Sequence, residues 1–539
     1  MCRRRAVEIL GTGLHQHDGA DPTVEPPIGP CPGRSHAPPH PPPPDRGRRH
    51  PDHDGVVPVT AAGVPVGKVL EHLEVFQAIA NANNANRASG TPGYRGSVDY
   101  VVGRLRAAGY APQVQKFTFP FFQETAPATV SAGGRQLPAT DVAVMTYSGS
   151  GTVTAPVQAV GTTGEKAAST SGCEAGDFAD FVPGNIALLQ RGTCAFGVKA
   201  ANAQAAGASA VLIFNTGLDG AEGAVAGTLG DPGGVTVPVV GLSYAAGVAL
   251  LGGGEVTVST QTVSESRETF NVLAETGSGD GQRTVMVGAH LDSVPEGPGI
   301  NDNASGSAGI LAIAEALAGT ETANAVRFAW WGAEEFGLLG SRHYVTDLKT
   351  SDAGTLGNIA LYLNFDMIGS PNHGRFVYDG DASAFGPEDG SVPAPAGSAA
   401  IEAAFHEHFG SVGLASGETE FSGRSDYGPF IAEGIASGGL FTGAEGIKTV
   451  EQAALFGGRA GIGYDFCYHA SCDDLSNVDL RTLEEMTGAA SAVVLRFANS
   501  TQDLETEGRR LLGIVAPVPP AAVDQGRGPS NAAAQRQTQ

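Results

Sequence analysis

The chain has 539 residues, 41% of them hydrophobic, and a formal net charge of −24. That length suggests roughly three or four folded units. The acidic balance argues against a nucleic acid or an anionic membrane as partner, and no apolar run approaches the ~20 residues that span a bilayer.

Residues 1–55 are rich in Pro, His and Arg and hold six of the 13 histidines. Such a stretch cannot bury a core and reads as a disordered, locally polyproline-like tail. It has no apolar segment of signal-peptide length. Order is expected to begin near Val57. Val69, Leu70, Leu73, Phe76, Ile79 and Ala80 recur at helical spacing and predict a helix from Val66 to Asn84, with a second from Val98 to Ala108. Ala111 to Phe119 then alternates like a half-buried strand.

From about 130 to 262 Gly, Ala and Val dominate, with strands expected at 186–190, 210–214 and 236–241 and a helix at 197–206. This block has no histidine, so metal chemistry is expected outside it, and it reads as an inserted module. From Thr269 the pattern becomes α/β. Strands are expected at 269–275, 284–289, 325–331, 359–365 and 436–441, and helices at 305–318, 340–348, 398–409 and 479–498. Alternation of this kind predicts a mixed, largely parallel sheet covered by helices on both faces. After about 504 the chain turns Arg-, Ala-, Pro- and Gln-rich and is expected to fray.

Six cysteines are present. Cys2 and Cys31 lie in the amino-terminal tail. Cys173 with Cys194 and Cys467 with Cys472 form two local pairs, read as disulfides and hence as a sign of an oxidising compartment.

The candidate chemistry sits just past the apolar strands. His290 and Asp302 flank a polar loop, with Asp292 two residues on from the histidine. Glu334 and Glu335 follow one strand, Asp366 ends another, and His469 lies in a late loop beside Tyr468. Imidazole and carboxylate suit zinc, and a carboxylate can bridge two ions. Two ions held a few ångströms apart can activate a water and polarise a carbonyl, while an acid off the metal moves protons. Each residue alone has a blander reading. A lone buried His is more often a core residue, Asp302 could cap the 305–318 helix, and adjacent glutamates could be a solvated turn. Gathered at successive strand ends, the residues make those readings improbable. His72, His343, His373, His406 and His408 are read as structural or solvated. The Asn303-Ala-Ser305 sequon is discounted, since it falls in the proposed site. A nucleophile elbow and a phosphate loop are both absent from the sequence.

The segments Gly-Ala-His290-Leu-Asp-Ser, Gly-Ile-Asn-Asp302-Asn-Ala-Ser-Gly, Gly-Ala-Glu334-Glu335-Phe-Gly, Asn-Phe-Asp366-Met-Ile-Gly and Cys-Tyr468-His469 resemble the two-zinc aminopeptidases of the M28 type. Gly423-Arg-Ser-Asp426 and Gly438-Gly-Leu-Phe-Thr-Gly443 resemble their secreted Streptomyces-type leucine aminopeptidase subgroup. Arg191-Gly-Thr-Cys194 and the Ala-rich run after it resemble a protease-associated (PA) domain, a mainly-β module thought to shape the substrate entrance. The resemblance divides the chain into a tail (1–55), the first part of a peptidase domain (56–129), the PA insertion (130–262), the catalytic domain (263–503) and a second tail (504–539).

For the site, the resemblance implies two zinc ions. His290 and Asp366 would serve one, Glu335 and His469 the other, and Asp302 would bridge them. It implies Glu334 as general base toward a metal-bridging hydroxide, Tyr468 as donor to the oxyanion, and Asp292 behind His290 to orient the imidazole. Asp366, Glu334 and the Arg424 region would receive the substrate's free amine. Met367, Gly423 and Phe441 would line a pocket for a large apolar first residue. The Cys467–Cys472 disulfide would fix the loop of Tyr468 and His469. The implied protein is a secreted monomer acting on peptides or proteins with a free amino terminus. Calcium is a further ion met among such relatives, but this sequence does not place its ligands. The rival expectations are a carboxypeptidase-like or glutaminyl-cyclase-like enzyme on the same fold, and a non-catalytic binding protein.

Overall fold

The computed structural model describes residues 64–504, so the two tails and the expected onset of order near Val57 lie outside the described residues. At the centre four strands run parallel: Ser437–Phe441, Ile359–Phe365, Asp280–His290 and Asn324–Trp331 in spatial order. Phe376–Tyr378 joins one edge antiparallel and pairs in parallel with Gly417–Thr419. Glu255–Glu275 joins the other edge antiparallel. The sheet is thus mixed and largely parallel.

Alternation along each strand decides which face receives which helices. Val285, Val287 and Ala289 pack with helices Val66–Ala82, Pro92–Ala107, Gly306–Leu317, Ser398–Ser411 and Leu480–Asn499. Met286, Ala329, Trp331 and Tyr362 point the other way, against Leu339–Ser351 and Tyr427–Ala432. Both faces of the parallel strands are therefore buried, as crossover helices require. The helices expected at 305–318, 340–348, 398–409 and 479–498 all form, with ends displaced by a few residues.

The edge departs from expectation. The strand read as Ala111–Phe119 runs from Gln113 to Ala132, and the one read as 269–275 runs from Glu255 to Glu275. They pair antiparallel from Gln113↔Leu273 to Ala132↔Val256, with irregularities between Glu124 and Thr129. Glu255–Glu275 also pairs with Gly151–Ala159, which leads through Ile186–Gln190, Ala210–Phe214 and Val239–Leu242 to Val142–Val144. The boundaries drawn at 130 and 262 therefore fall inside two continuous strands, not in loops. The inserted block has its own cores, on both faces of its sheet. Cys173 is bonded to Cys194 within it, and Cys467 to Cys472 in the loop ahead of helix Leu480–Asn499. No helix among the described residues is long and apolar enough to cross a membrane.

Candidate metal centre

His290, Glu334, Glu335 and Asp366 sit at or just past the carboxyl ends of parallel strands, the usual place for a site in such sheets, and Asp302 and His469 come to them on loops. His290 is the last residue of Asp280–His290. The loop after it is held from a distance. Arg87, fully buried, donates from Nε to the carbonyl of Pro298 at 2.9 Å and from its other nitrogens to the carbonyls of Leu291 and Gly299. The loop closes at Asp302, whose backbone N–H donates to Asp473 Oδ2 at 2.9 Å, while that of Asn301 donates to Oδ1 at 2.8 Å. Asp302 does not cap the following helix, which begins after Ser305.

Glu334 and Glu335 follow strand Asn324–Trp331 through Gly332 and a left-handed Ala333 (φ 55°). A Cβ on Gly332 would meet the Tyr94 hydroxyl at 2.4 Å, so the close approach needs glycine. Asp366 follows Ile359–Phe365, and Met367 and His469 also adopt positive φ, at 49° and 55°. Non-glycine residues in that region cost about 1–3 kcal/mol each and cluster at functional sites.

The side chains meet in one cluster. Nε2 of His290 is 3.2 Å from Asp302 Oδ1 and 3.3 Å from Asp366 Oδ1. Nε2 of His469 is 3.2 Å from Asp302 Oδ2 and 3.0 Å from Glu335 Oε2. Asp302 thus turns one oxygen to each histidine. Two triads, His290–Asp302–Asp366 and Asp302–Glu335–His469, share Asp302, and a third, His290–Glu334–Glu335, brings in Glu334. Glu334 Oε2 lies 3.9 Å from His290 Nε2 and does not join the two triads that share Asp302.

Electrostatics test whether cations fit. Burial pushes Glu335 up, and it pushes Glu334 well above the usual carboxylate range against the pull of His290. Burial disfavours charge on the histidines, yet Glu334 and Asp366 hold His290 well above its ordinary value, and Glu335 and Asp302 hold His469 up at about 11. The crowded carboxylates thus favour positive charge at the imidazoles. Glu335 Oε1 and Asp366 Oδ1 remain buried with no hydrogen-bond partner. Two bound cations would satisfy both deficits, and the imidazole–carboxylate donor set suits zinc.

Asp292 is fully buried, but the nearest partner of His290 Nδ1 is its backbone carbonyl at 3.2 Å. The carboxylate is 3.8 Å away and accepts from the Glu334 backbone N–H at 3.3 Å. Met367, Arg424, Phe441 and Tyr468 line the cleft over the cluster, with Tyr378, Glu420 and Ala444. Gly423 is not part of that wall; it makes a turn (φ 77°) and donates its N–H to Tyr427 Oη. Arg424 donates to Tyr468 Oη at 3.1 Å and to Glu445 Oε1 at 2.8 Å. Asn303 of the sequon is buried. Its amide donates to the carbonyl of Phe365 and its oxygen accepts from Met367 N–H, tying the Asp302 and Asp366 loops together.

Two features escaped the sequence. Arg87 bonds only backbone carbonyls here, which leave no pattern to read. His406, read as structural or solvated, gathers with Glu402 and Glu418, and Asp379 and Asp381 also lie against Glu402. Spacing of four on a helix between Glu402 and His406 was the available signal.

Residues 271–494 match the family model Peptidase family M28, and residues 153–250 match PA domain. The chain is 47% identical over 461 residues to an aminopeptidase of Pseudomonas aeruginosa, covering 83% of this chain and 84% of that one. It is 41% identical over 444 residues to a probable leucine aminopeptidase 2 of Trichophyton verrucosum, covering 81% and 85%. Among solved structures, an aminopeptidase from Aneurinibacillus sp. strain AM-1 superposes with a TM-score of 0.58 at 24% identity, covering 82% of this chain and 96% of that one. A chain that matches the peptidase model over residues 271–494, has a PA domain match ahead of it and is 47% identical over 461 residues to such a relative belongs to peptidase family M28.

Proposed function

We propose that this protein is an aminopeptidase that binds two zinc ions and releases large apolar residues from the amino terminus of peptides. The observation that carries the reading is the division of Asp302, one carboxylate oxygen toward each histidine. His290 and Asp366 would hold one ion, and Glu335 and His469 the other. When bound, zinc supplies a water of lowered pKa and a polarised carbonyl.

This chain's own groups do the rest. Glu334, buried beside the ligands but outside the two triads that share Asp302, takes the proton from the attacking water and passes it to the leaving amine. Tyr468, oriented by Arg424, donates its hydroxyl to the developing oxyanion. Met367, Tyr378 and Phe441 give the cleft an apolar wall for the first side chain. Domain limits near 130 and 262, a monomeric state and an extracellular location complete the reading; the two disulfides support the last.

The test is hydrolysis of a panel of aminoacyl anilides with zinc measured on the same sample. Leucyl anilide should be cleaved fastest, with two zinc per chain, and amino-blocked peptides should be inert. Cleavage of blocked peptides from the carboxyl end would make the protein a carboxypeptidase. One zinc with cyclisation of amino-terminal glutamine would make it a cyclase, and no turnover with full zinc would leave a binding protein.

A further inference from the structure

Twelve large apolar side chains are exposed among the described residues, and five of them, Ile447, Val450, Leu455, Ile462 and Phe466, fall within residues 447–466. Scattered singly, such residues need no explanation; concentrated in one stretch they mark an interaction surface. Phe466 is 70% exposed and immediately precedes the Cys467–Cys472 loop that carries Tyr468 and His469.

The stretch is braced. Lys448 N–H donates to Ile462 O at 3.0 Å, Tyr464 N–H to Gly446 O at 3.0 Å and Asp465 N–H to Ala444 O at 2.8 Å, forming a short antiparallel ribbon. Asn372 Nδ2 donates to the carbonyls of Arg459 and Gly463, both at 3.0 Å, and the Lys448 ammonium donates to His373 O at 2.6 Å. Ile447, Ile462 and Phe466 stand on or beside the ribbon, and Val450 and Leu455 on the helix Val450–Phe456 between its arms, so the backbone under all five is already ordered when a ligand arrives.

The ribbon starts at the cleft. Ala444 lines it, and the next residue, Glu445, holds Arg424. Ala444 at the start of the ribbon and Tyr468 just past its end both line the cleft, so the ribbon adjoins it at each end. A peptide with its free amine at the carboxylate cluster would carry its third and fourth residues roughly 7–10 Å beyond the scissile bond, far enough to leave the cleft over this rim.

We propose that the 444–466 ribbon receives the substrate chain downstream of the scissile bond and favours peptides with apolar third and fourth residues. This rests on the aminopeptidase reading above. Leucyl anilide reports the cleft alone, so the comparison is between it and the pentapeptides Leu-Ala-Leu-Leu-Ala and Leu-Ala-Ser-Ser-Ala. The apolar pentapeptide should have a kcat/KM about tenfold higher. A double variant, Phe466→Ser with Ile447→Ser, should abolish that difference while leaving zinc content and leucyl-anilide turnover unchanged. Equal rates for the two pentapeptides in the unaltered protein would overturn the proposal, as would a preference that survives in the double variant. A change of oligomeric state in the double variant would assign the surface to a second copy. Faster pentapeptide cleavage on removing residues 505–539 would assign it to the chain's own tail; either result overturns the proposal. Absence of leucyl-anilide turnover would remove the aminopeptidase reading itself.

Discussion

Ser425 Oγ donates a 2.6 Å hydrogen bond to Oδ2 of Asp366, so the other oxygen, Oδ1, is the one turned to His290. Ser425 is held in turn by Asn364 Nδ2 at 2.8 Å, Asn364 by the Tyr362 hydroxyl at 3.1 Å, and Tyr362 by Trp331 Nε1 at 2.9 Å. A run of donors thus reaches from the core to one carboxylate. Ser425→Ala should weaken zinc binding by about 10–100-fold, and Ser425→Thr should restore most of it. Competition with a chelator reads this directly. Unchanged zinc affinity in Ser425→Ala would remove the assignment.

Glu334 and Tyr468 should separate metal binding from catalysis. Glu334→Gln is expected to keep its zinc and its melting temperature but lose about 10²–10⁴-fold in kcat. Tyr468→Phe should lower kcat by about 10²-fold with little change in KM, because its bond strengthens only as the oxyanion forms. Loss of zinc from Glu334→Gln would instead make Glu334 a ligand.

Arg87 offers a stability test. Burial lowers its pKa to about 10, with Asp292, Asp473 and Asp302 opposing, so it stays charged at neutral pH. Arg87→Met leaves the carbonyls of Leu291, Pro298 and Gly299 without this donor and those acids without their cation. Removing one partner from a buried charge network costs about 3–5 kcal/mol. Chemical unfolding should show that loss in metal-free and metal-loaded protein alike. A variant as stable as the parent would show that water replaces the guanidinium.

The Glu402 cluster should give the protein a pH-dependent stability. Burial, with Asp381, Glu418 and Asp379 adding to it, pushes Glu402 up to about 9, and burial pushes Glu418 to about 7. His406, beside both, is lowered to about 4 by burial and contributes no charge at neutral pH. A carboxyl whose folded pKa is raised stabilises below its unfolded value and loses that contribution as pH rises through the folded one. For Glu402 the window is therefore about 4.5 to 9, with a slope approaching 1.4 kcal/mol per pH unit. In chelated protein the urea midpoint should fall across this range, and Glu402→Gln should flatten the fall. Parallel curves for parent and variant would count against it.

Much of the site was legible because it follows one rule, an apolar run and then a polar residue at the strand end. His290, Glu334, Glu335 and Asp366 all obey it. The parallel strands were legible for the same reason, being buried on both faces. The long edge strands were not. Beyond Phe122 the first is mostly half-buried, with no regular alternation, and interrupted by Pro127, and the second is rich in Ser and Thr between residues 257 and 266. Their pairing, 160 residues apart at Gln113↔Leu273, has no local signature. Phe376–Tyr378 and Gly417–Thr419 are too short to show a period. Asp292 was read as a carboxylate behind His290, whereas its backbone carbonyl lies nearer, a distinction side-chain identity cannot express.

The strands Gln113–Ala132 and Glu255–Glu275 carry the chain into the inserted module and back without leaving the sheet. The module therefore has no hinge to cut or lengthen: it is welded along a seam of paired residues. Exchanging it between relatives means splicing both strands at the same rung, for instance Phe122 with Ser264. A splice out of step by one residue would turn every side chain beyond it to the opposite face, and the residues shaped for one core of the module would be driven into the other.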